Sequence, residues 1–377
     1  MATLFLAVAA RADEPGLVAR DGVLLKDGKP YRAIGANYFS LFARVLKDPA
    51  DTSSLDQLGA LSKAGVPFVR FECCGFWPVD WKLYLDNRPE YFRRLDLVVR
   101  KAEAANVGLI PSLFWYFPTV SDLVGEPLDQ MGNPASKTNA FIRQYTEEVV
   151  GRYKDSPAIW GWELGNEYNL DCNLPNAATH RPPVVPDLGT PRERSKRDEM
   201  KWEQLRVAML TFAETARRLD PKHIILTGHS IPRASAWHNW KENKWTADTR
   251  DQFTEILLRD NPDPFDTLTV HTYYDKSGRY PGPSDSIDGM IAASVAAAAK
   301  ARKPLFIGEF GAERQSDAAT ERAIFDEFLR AIEKHRVPLA AFWVFDQPDM
   351  DKSWNVTFTN DRAWVLEAVR AANKRMQ

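Results

Sequence analysis

The stretch Ile159-Trp160-Gly161-Trp162-Glu163-Leu164-Gly165-Asn166-Glu167 decides how the rest of the chain is read. It begins as a nearly continuous apolar run, the pattern of a strand buried on both faces, and stops on Asn-Glu. A second stretch has the same design: Pro304-Leu305-Phe306-Ile307-Gly308-Glu309-Phe310-Gly311. Outward from these two, short β-rich apolar runs alternate with longer amphipathic segments, the signature of βα units around a parallel sheet. Eight strands are predicted, at 33–37, 68–72, 108–113, 159–164, 224–227, 268–271, 305–308 and 341–345. Helical periodicity marks 56–64, 89–105, 137–153, 198–219, 251–258, 287–300, 318–334 and 362–374. A hairpin at 23–25 and 30–32 precedes them, around the two-residue turn signal Asp27-Gly28. Strands each followed by a helix predict a (β/α)8 barrel, an α/β fold whose active site lies at the C-terminal strand ends. We expect residues 21–377 to form this single domain, with 1–20 as a tail. Two long insertions, 169–197 and 229–250, follow strands four and five, and loops of that length are usually functional. An open doubly wound sheet would carry a Gly-rich phosphate turn after its first strand, and Gly35-Ala36-Asn37-Tyr38 is not one.

The 49 basic residues are balanced by 51 acidic ones, for a net charge of −2, which argues against nucleic acid as a partner. No apolar run reaches the roughly 18 residues of a membrane span. Residues Leu4 to Ala10 are apolar and Ala10-Arg11-Ala12 resembles a cleavage site, but no basic residue precedes them. A remnant signal for a secreted or periplasmic protein and an ordinary amphipathic tail both fit. Of the three cysteines, Cys73 or Cys74 pairs with Cys172, or all are free thiols. There is no Cys-x-x-Cys, and the six histidines form no His-Glu-x-x-His, so neither a metal nor a cofactor is expected.

Strands four and seven stand on opposite sides of an eight-stranded barrel, so Glu167 and Glu309 at their ends can face one another across a substrate. Glycosidic cleavage needs such a pair, one carboxyl to protonate the departing oxygen and one to attack the anomeric carbon or activate water. Here the chain resembles glycoside hydrolase family five, of the retaining clan A β-glycanases, and its mannanase-like and cellulase-like members. The resemblance begins with Asp27-Gly28-Lys29-Pro30-Tyr31-Arg32-Ala33-Ile34-Gly35-Ala36-Asn37-Tyr38 as entry hairpin and first strand. It continues with Arg70 at the end of strand two, Asn166-Glu167, His271-Thr272-Tyr273, Glu309, and Trp343 on strand eight. It implies that Glu167 is the acid/base, Glu309 the nucleophile, and Trp343 the platform beneath the reacting sugar. One departure stands out: where many members carry a histidine near the end of strand three, this chain reads Ser112-Leu113-Phe114-Trp115-Tyr116.

The physical roles follow from those positions. Arg70 would lower the pKa of Glu309 by charge attraction, and Tyr273 would donate to the same carboxylate. Glu167 must hold a proton, so its pKa is expected to rise, with His271 as its partner. Asn166 would bind the sugar 2-hydroxyl. Trp77 and Trp115 in rim loops suit the apolar faces of sugars. The expected activity is a retaining endo-β-glycoside hydrolase acting on a β-1,4-linked mannan or glucan, a monomer without cofactor. An exo-acting glycosidase, a transglycosylase and a catalytically impaired carbohydrate-binding barrel are the alternatives.

Blander readings stand beside these. Arg70 could simply pair with Glu72 or Glu163, and Glu163 reads as structural. Trp237, Trp240 and Trp245 could bind sugar or only pin their loop. Asn37 and Tyr38 could line the cleft or close the barrel top. Gly228-His229-Ser230 imitates an esterase elbow but lacks the second glycine and the following helix.

Overall fold

The computed structural model describes residues 16–274, 286–315 and 317–377; the apolar stretch at residues 4–10 lies outside them. Asp27 and Gly28 both take positive φ, 53° and 72°, as a type I′ turn demands. That turn joins β2 (Val23–Lys26) to β3 (Lys29–Pro30), and β1 (Leu17–Arg20) pairs antiparallel with β2. The small sheet therefore starts at Leu17, inside the stretch read as a tail.

The barrel follows with β4 (Ala33–Asn37), β5 (Phe68–Glu72), β6 (Gly108–Phe114), β7 (Gly161–Gly165), β8 (Ile224–Leu226), β9 (Leu268–His271), β10 (Leu305–Phe310) and β11 (Leu339–Phe342). These eight strands are parallel in the order β8-β7-β6-β5-β4-β11-β10-β9. The ring closes between β8 and β9 through Asp266 N–H to Ile225 C=O at 3.0 Å. All eight predicted strands are present. The last starts earlier than predicted and ends at Phe342, because beyond Trp343 the chain bends so that Phe345 N–H reaches the Asn37 carbonyl at 2.8 Å. Among the described residues four α-helices fall outside the periodicity read from the sequence: Ser40–Lys47, straight after β4, the short Lys82–Asp86 and Thr119–Leu123, and Ala236–Glu242 inside the second insertion.

The barrel interior changes character along its axis. Ala33, Phe68, Ile110, Ile224, Leu226, Phe306, Leu339 and Ala341 fill its lower half, and Leu17, Leu24 and Trp160 close the floor. Side chains repeat on one face of a strand every second residue. The inner face of β5 thus runs Phe68, Arg70, Glu72, and that of β4 runs Ala33, Gly35, Asn37. Apolar packing below gives way to buried polar groups above, and that boundary is the base of the site. No helix among the described residues is long and apolar enough to cross a membrane.

Candidate active site

Period-two alternation alone would send Glu309 outward with Leu305 and Ile307, since Phe306 points into the barrel. The pairing register of β10 shifts between Ile307 and Glu309 against β9, and between Ile307 and Phe310 against β11. Such an irregularity re-aims a side chain, and it turns Glu309 inward. On the opposite side Glu167 follows β7 in the left-handed conformation, φ 55° and ψ 24°. Its N–H donates to the Gly228 carbonyl at 2.8 Å, and Asn166 N–H to the Trp115 carbonyl at 3.0 Å. Gly228 itself has φ +72°, and a Cβ there would lie 1.8 Å from the Gly165 oxygen. Only glycine fits that approach.

Arg70 ties the base together. Its Nε donates to both oxygens of Glu163 at 2.8 and 2.9 Å, Nη1 to Glu309 Oε1 at 2.8 Å and Asn37 Oδ1 at 2.9 Å, and Nη2 to Asn166 Oδ1 at 2.8 Å. The guanidinium also lies 4.5 Å from the ring of Trp115. Burial works against its charge, but Glu163 and Glu309 outweigh that and hold its pKa up. Of the ion-pair partners weighed for Arg70, it takes Glu163 and not Glu72, and it pairs with Glu309 at the same time. Asn37 is buried and closes the barrel top, its amide donating to the Gly308 carbonyl at 2.9 Å while its oxygen holds Arg70.

Tyr273 Oη donates to Glu309 Oε2 at 2.5 Å, and His271 Nδ1 stands 3.1 Å from Glu167 Oε1 and 3.5 Å from Glu309 Oε1. One ligand atom from each of Glu167, His271 and Glu309 falls within 4.8 Å of the others. Three such groups can hold a cation, but the Arg70 guanidinium on Glu309 opposes one. Among the described residues His271 Nε2 is buried with no hydrogen-bond partner, so the ring meets the carboxyl pair through Nδ1 alone.

The two carboxyls shift opposite to the sequence expectation. Burial pushes Glu309 up, and the charge of Glu167 adds to it, against the pull of His271, Arg70 and Tyr273. Burial also pushes Glu167 up, but the His271 hydrogen bond and charge, with Ser230 and Arg70, bring it below its ordinary value. The charge on Glu167 is therefore part of what raises Glu309.

The cavity above these groups has a volume of about 1180 Å³ and includes Trp77, Trp115, Asn166, Glu167, Tyr273, Glu309, Trp343 and Trp354 in its lining. Trp115 and Trp343 stack at 6.2 Å and 26°. Arg70 and His271 lie beneath, fully buried. Every residue singled out for the site is thus brought to one place. Phe39, Glu72, Asp80, Gln347 and Met350 also line the cavity and were not picked out. Glu72 was findable, because it lies two residues beyond Arg70 on the same strand face.

Other sequence readings separate here. Trp237 and Trp240 fasten their loop, donating to Glu255 and Glu203 at 2.9 Å each, and Trp245 is exposed; none of the three lines the cavity. Cys73, Cys74 and Cys172 are free and buried, so the bridge to Cys172 is not formed. Cys74 Sγ instead accepts from Trp115 N–H at 3.3 Å, and Cys172 faces the Tyr168 carbonyl at 3.6 Å.

Comparison with known proteins agrees with this architecture. A mannan endo-1,4-β-mannosidase A of Podospora anserina is 24% identical over 297 residues, 73% of this chain and 65% of that protein. The chain thus spans less than two thirds of that relative's length. The solved endo-1,4-β-mannanase of Rhizomucor miehei aligns with a TM-score of 0.67 at 19% identity, covering 96% of this chain and 99% of that one. The exo-β-1,4-mannosidase Op5Man5 of Opitutaceae bacterium strain TAV5 gives a TM-score of 0.63 at 17% identity, over 93% of this chain and 61% of that one. At these identities the structural likeness carries the barrel fold. The family profile described as cellulase (glycosyl hydrolase family 5) matches residues 28–347, most of the chain, and this chain belongs to that family.

Proposed function

We propose that the protein is a retaining endo-β-glycoside hydrolase that cleaves β-1,4-linked mannan, or glucan as the second choice, by double displacement. The observation that carries this reading is the spacing of Glu167 and Glu309, whose nearest ligand atoms lie within 4.8 Å. Retaining enzymes hold their carboxyls about 5–5.5 Å apart, and inverting ones about 6.5–9.5 Å apart to admit a water.

Glu309 attacks the anomeric carbon while Glu167 gives its proton to the departing oxygen. A glycosyl ester forms on Glu309 and the aglycone leaves as an alcohol. Glu167, now ionised, takes a proton from water, the water oxygen attacks the anomeric carbon, and Glu309 departs as carboxylate. The starting ionisation is reached through substrate. The Glu167 side chain is 29% exposed and that of Glu309 only 6%, so a sugar seated over Trp343 desolvates mainly Glu167 and raises its pKa. Once Glu167 is protonated, its charge no longer raises Glu309, and Arg70 and Tyr273 hold that carboxylate ionised.

The named mannan enzymes among the similar proteins put mannan first. A polymer also implies action outside the cytoplasm, in keeping with the apolar stretch near the N-terminus. The test is product analysis on mannan, cellulose and mixed-linkage glucan, with the first-released anomer followed by NMR. An inverted anomer would refute double displacement. Glu309→Ala should abolish turnover of every substrate, whereas Glu167→Ala should spare aryl glycosides with good leaving groups; equal loss on both kinds contradicts the two roles.

Exo action is the second reading. An exo enzyme needs one end of its cleft closed; the long loops after β7 and β8, which among the described residues supply none to the cavity lining, are the segments that would close that end. Release of monosaccharide alone from the earliest time points would select it.

A further inference from the structure

Glu72 ends β5, opposite Ser112 of β6, and shares the inner face of its strand with Arg70. Arg70 holds Glu309 from beneath the cavity, whereas Glu72, one pleat nearer the mouth, forms part of the cavity wall beside Cys74, Trp77 and Trp115. It is 2% exposed. Its single hydrogen-bond contact among the described residues is with the Cys74 thiol, at the long distance of 4.0 Å. No Lys, Arg or His among those residues forms an ion pair with it, and the charge it feels is that of Asp80, another carboxylate. Burial first, and that carboxylate second, push Glu72 well above its ordinary value and so favour its protonated form.

A neutral carboxylic acid offers one O–H donor and a carbonyl acceptor side by side. Buried polar groups are nearly always satisfied, and this one has almost all of its capacity unused in the wall of a tryptophan-lined cleft. Vicinal hydroxyls of a pyranose present the matching pair, one accepting and one donating. We propose that Glu72 is a specificity-determining residue that exchanges two hydrogen bonds with adjacent hydroxyls of the bound sugar chain. This rests on the reading of the cavity as a β-glycan site. Glu72 is distinct from the pair that performs the chemistry, because its carboxyl belongs to β5 and touches neither Glu167 nor Glu309.

The experiment compares wild type, Glu72→Gln and Glu72→Leu on mannopentaose and cellopentaose, with melting temperatures for all three. Gln keeps a donor and an acceptor in the same shape, and its kcat/KM should stay within about threefold of wild type. Leu removes both and should lose about 5- to 100-fold in kcat/KM on the preferred pentasaccharide, chiefly through KM. Its melting temperature should hold or rise, since an apolar isostere relieves the burial of a polar group. A Leu variant equal to wild type on both sugars overturns the proposal. So does a loss in both variants that merely follows their melting temperatures. If Leu fails to fold, a Gln variant that loses more than tenfold while melting like wild type also overturns it, and one within threefold supports it. Wild type that cleaves neither sugar nor any β-glycan polymer refutes the underlying glycanase reading instead, so the two failures are told apart.

Discussion

Replacing Arg70 with methionine removes the cation but keeps most of the side-chain volume, and the consequence can be worked through. Arg70 is fully buried and sits 2.8 Å from an oxygen of Glu163 and 2.8 Å from one of Glu309. Removing one member of a buried pair costs about 3–5 kcal/mol, because the charge left behind has no compensation. Two carboxylates lose their cation here, but each can take up a proton instead, which caps the loss near that range at neutral pH. With an unfolding entropy of roughly 2.1 cal/mol/K per residue over 377 residues, this is about 4–6 °C in Tm. The sign of the pH dependence follows from linkage. Glu309 already stands above its ordinary value through burial, and losing Arg70 raises it further. A carboxyl whose folded pKa exceeds its unfolded value, about 4.3 for Glu, binds more protons in the folded state, so stability falls as pH rises through that interval. The deficit of the variant against wild type should therefore be smallest near pH 4 and grow towards pH 7. Calorimetry of both proteins across that range measures it. A Tm within 1 °C of wild type at pH 7, or a deficit that does not shrink on acidification, would refute this account of the buried cation.

Three further predictions follow from the same geometry. Tyr273→Phe removes a hydrogen bond to an ionised carboxylate, worth about 1.5–3 kcal/mol, so kcat should fall about 10- to 150-fold. Because that bond lowers the pKa of Glu309, the acidic limb of the pH–rate profile should move to higher pH; an unmoved limb contradicts the contact. Gly228→Ala places a Cβ against the Gly165 oxygen at positive φ, at a cost of about 2–5 kcal/mol from backbone strain and overpacking. Since Glu167 hangs from the Gly228 carbonyl, Tm and kcat should drop together, and a wild-type kcat would show that this link does not position the carboxyl. Burial pushes all three thiols well above their ordinary range. A thiol reagent should therefore find none in the native protein and three after denaturation, and fewer than three there would mean that a bridge exists.

The strands were legible because buried parallel strands leave continuous apolar runs such as Leu305–Gly308, and the entry hairpin because Asp27-Gly28 admits few backbone shapes. Glu167, Glu309, Arg70, His271 and Tyr273 were legible as a set because each closes an apolar strand or follows one, where a barrel gathers its rim. The chain alone determined these placements, since they depend on spacing along the backbone. Other features depended on neighbours distant in sequence, and only the tertiary structure decided them. The register shift in β10 that turns Glu309 inward is set by β9 and β11. The sharing of Arg70 between Glu163 and Glu309 arises because one guanidinium has several donors and the barrel interior is narrow. The reversed directions of the two carboxyls come from burial and from His271 standing between them. Trp237 and Trp240 are fastened outside the cleft because Glu255 and Glu203, on other helices, take their indole N–H groups. Local pattern says which face a residue is offered to; the assembled barrel determines what it meets there.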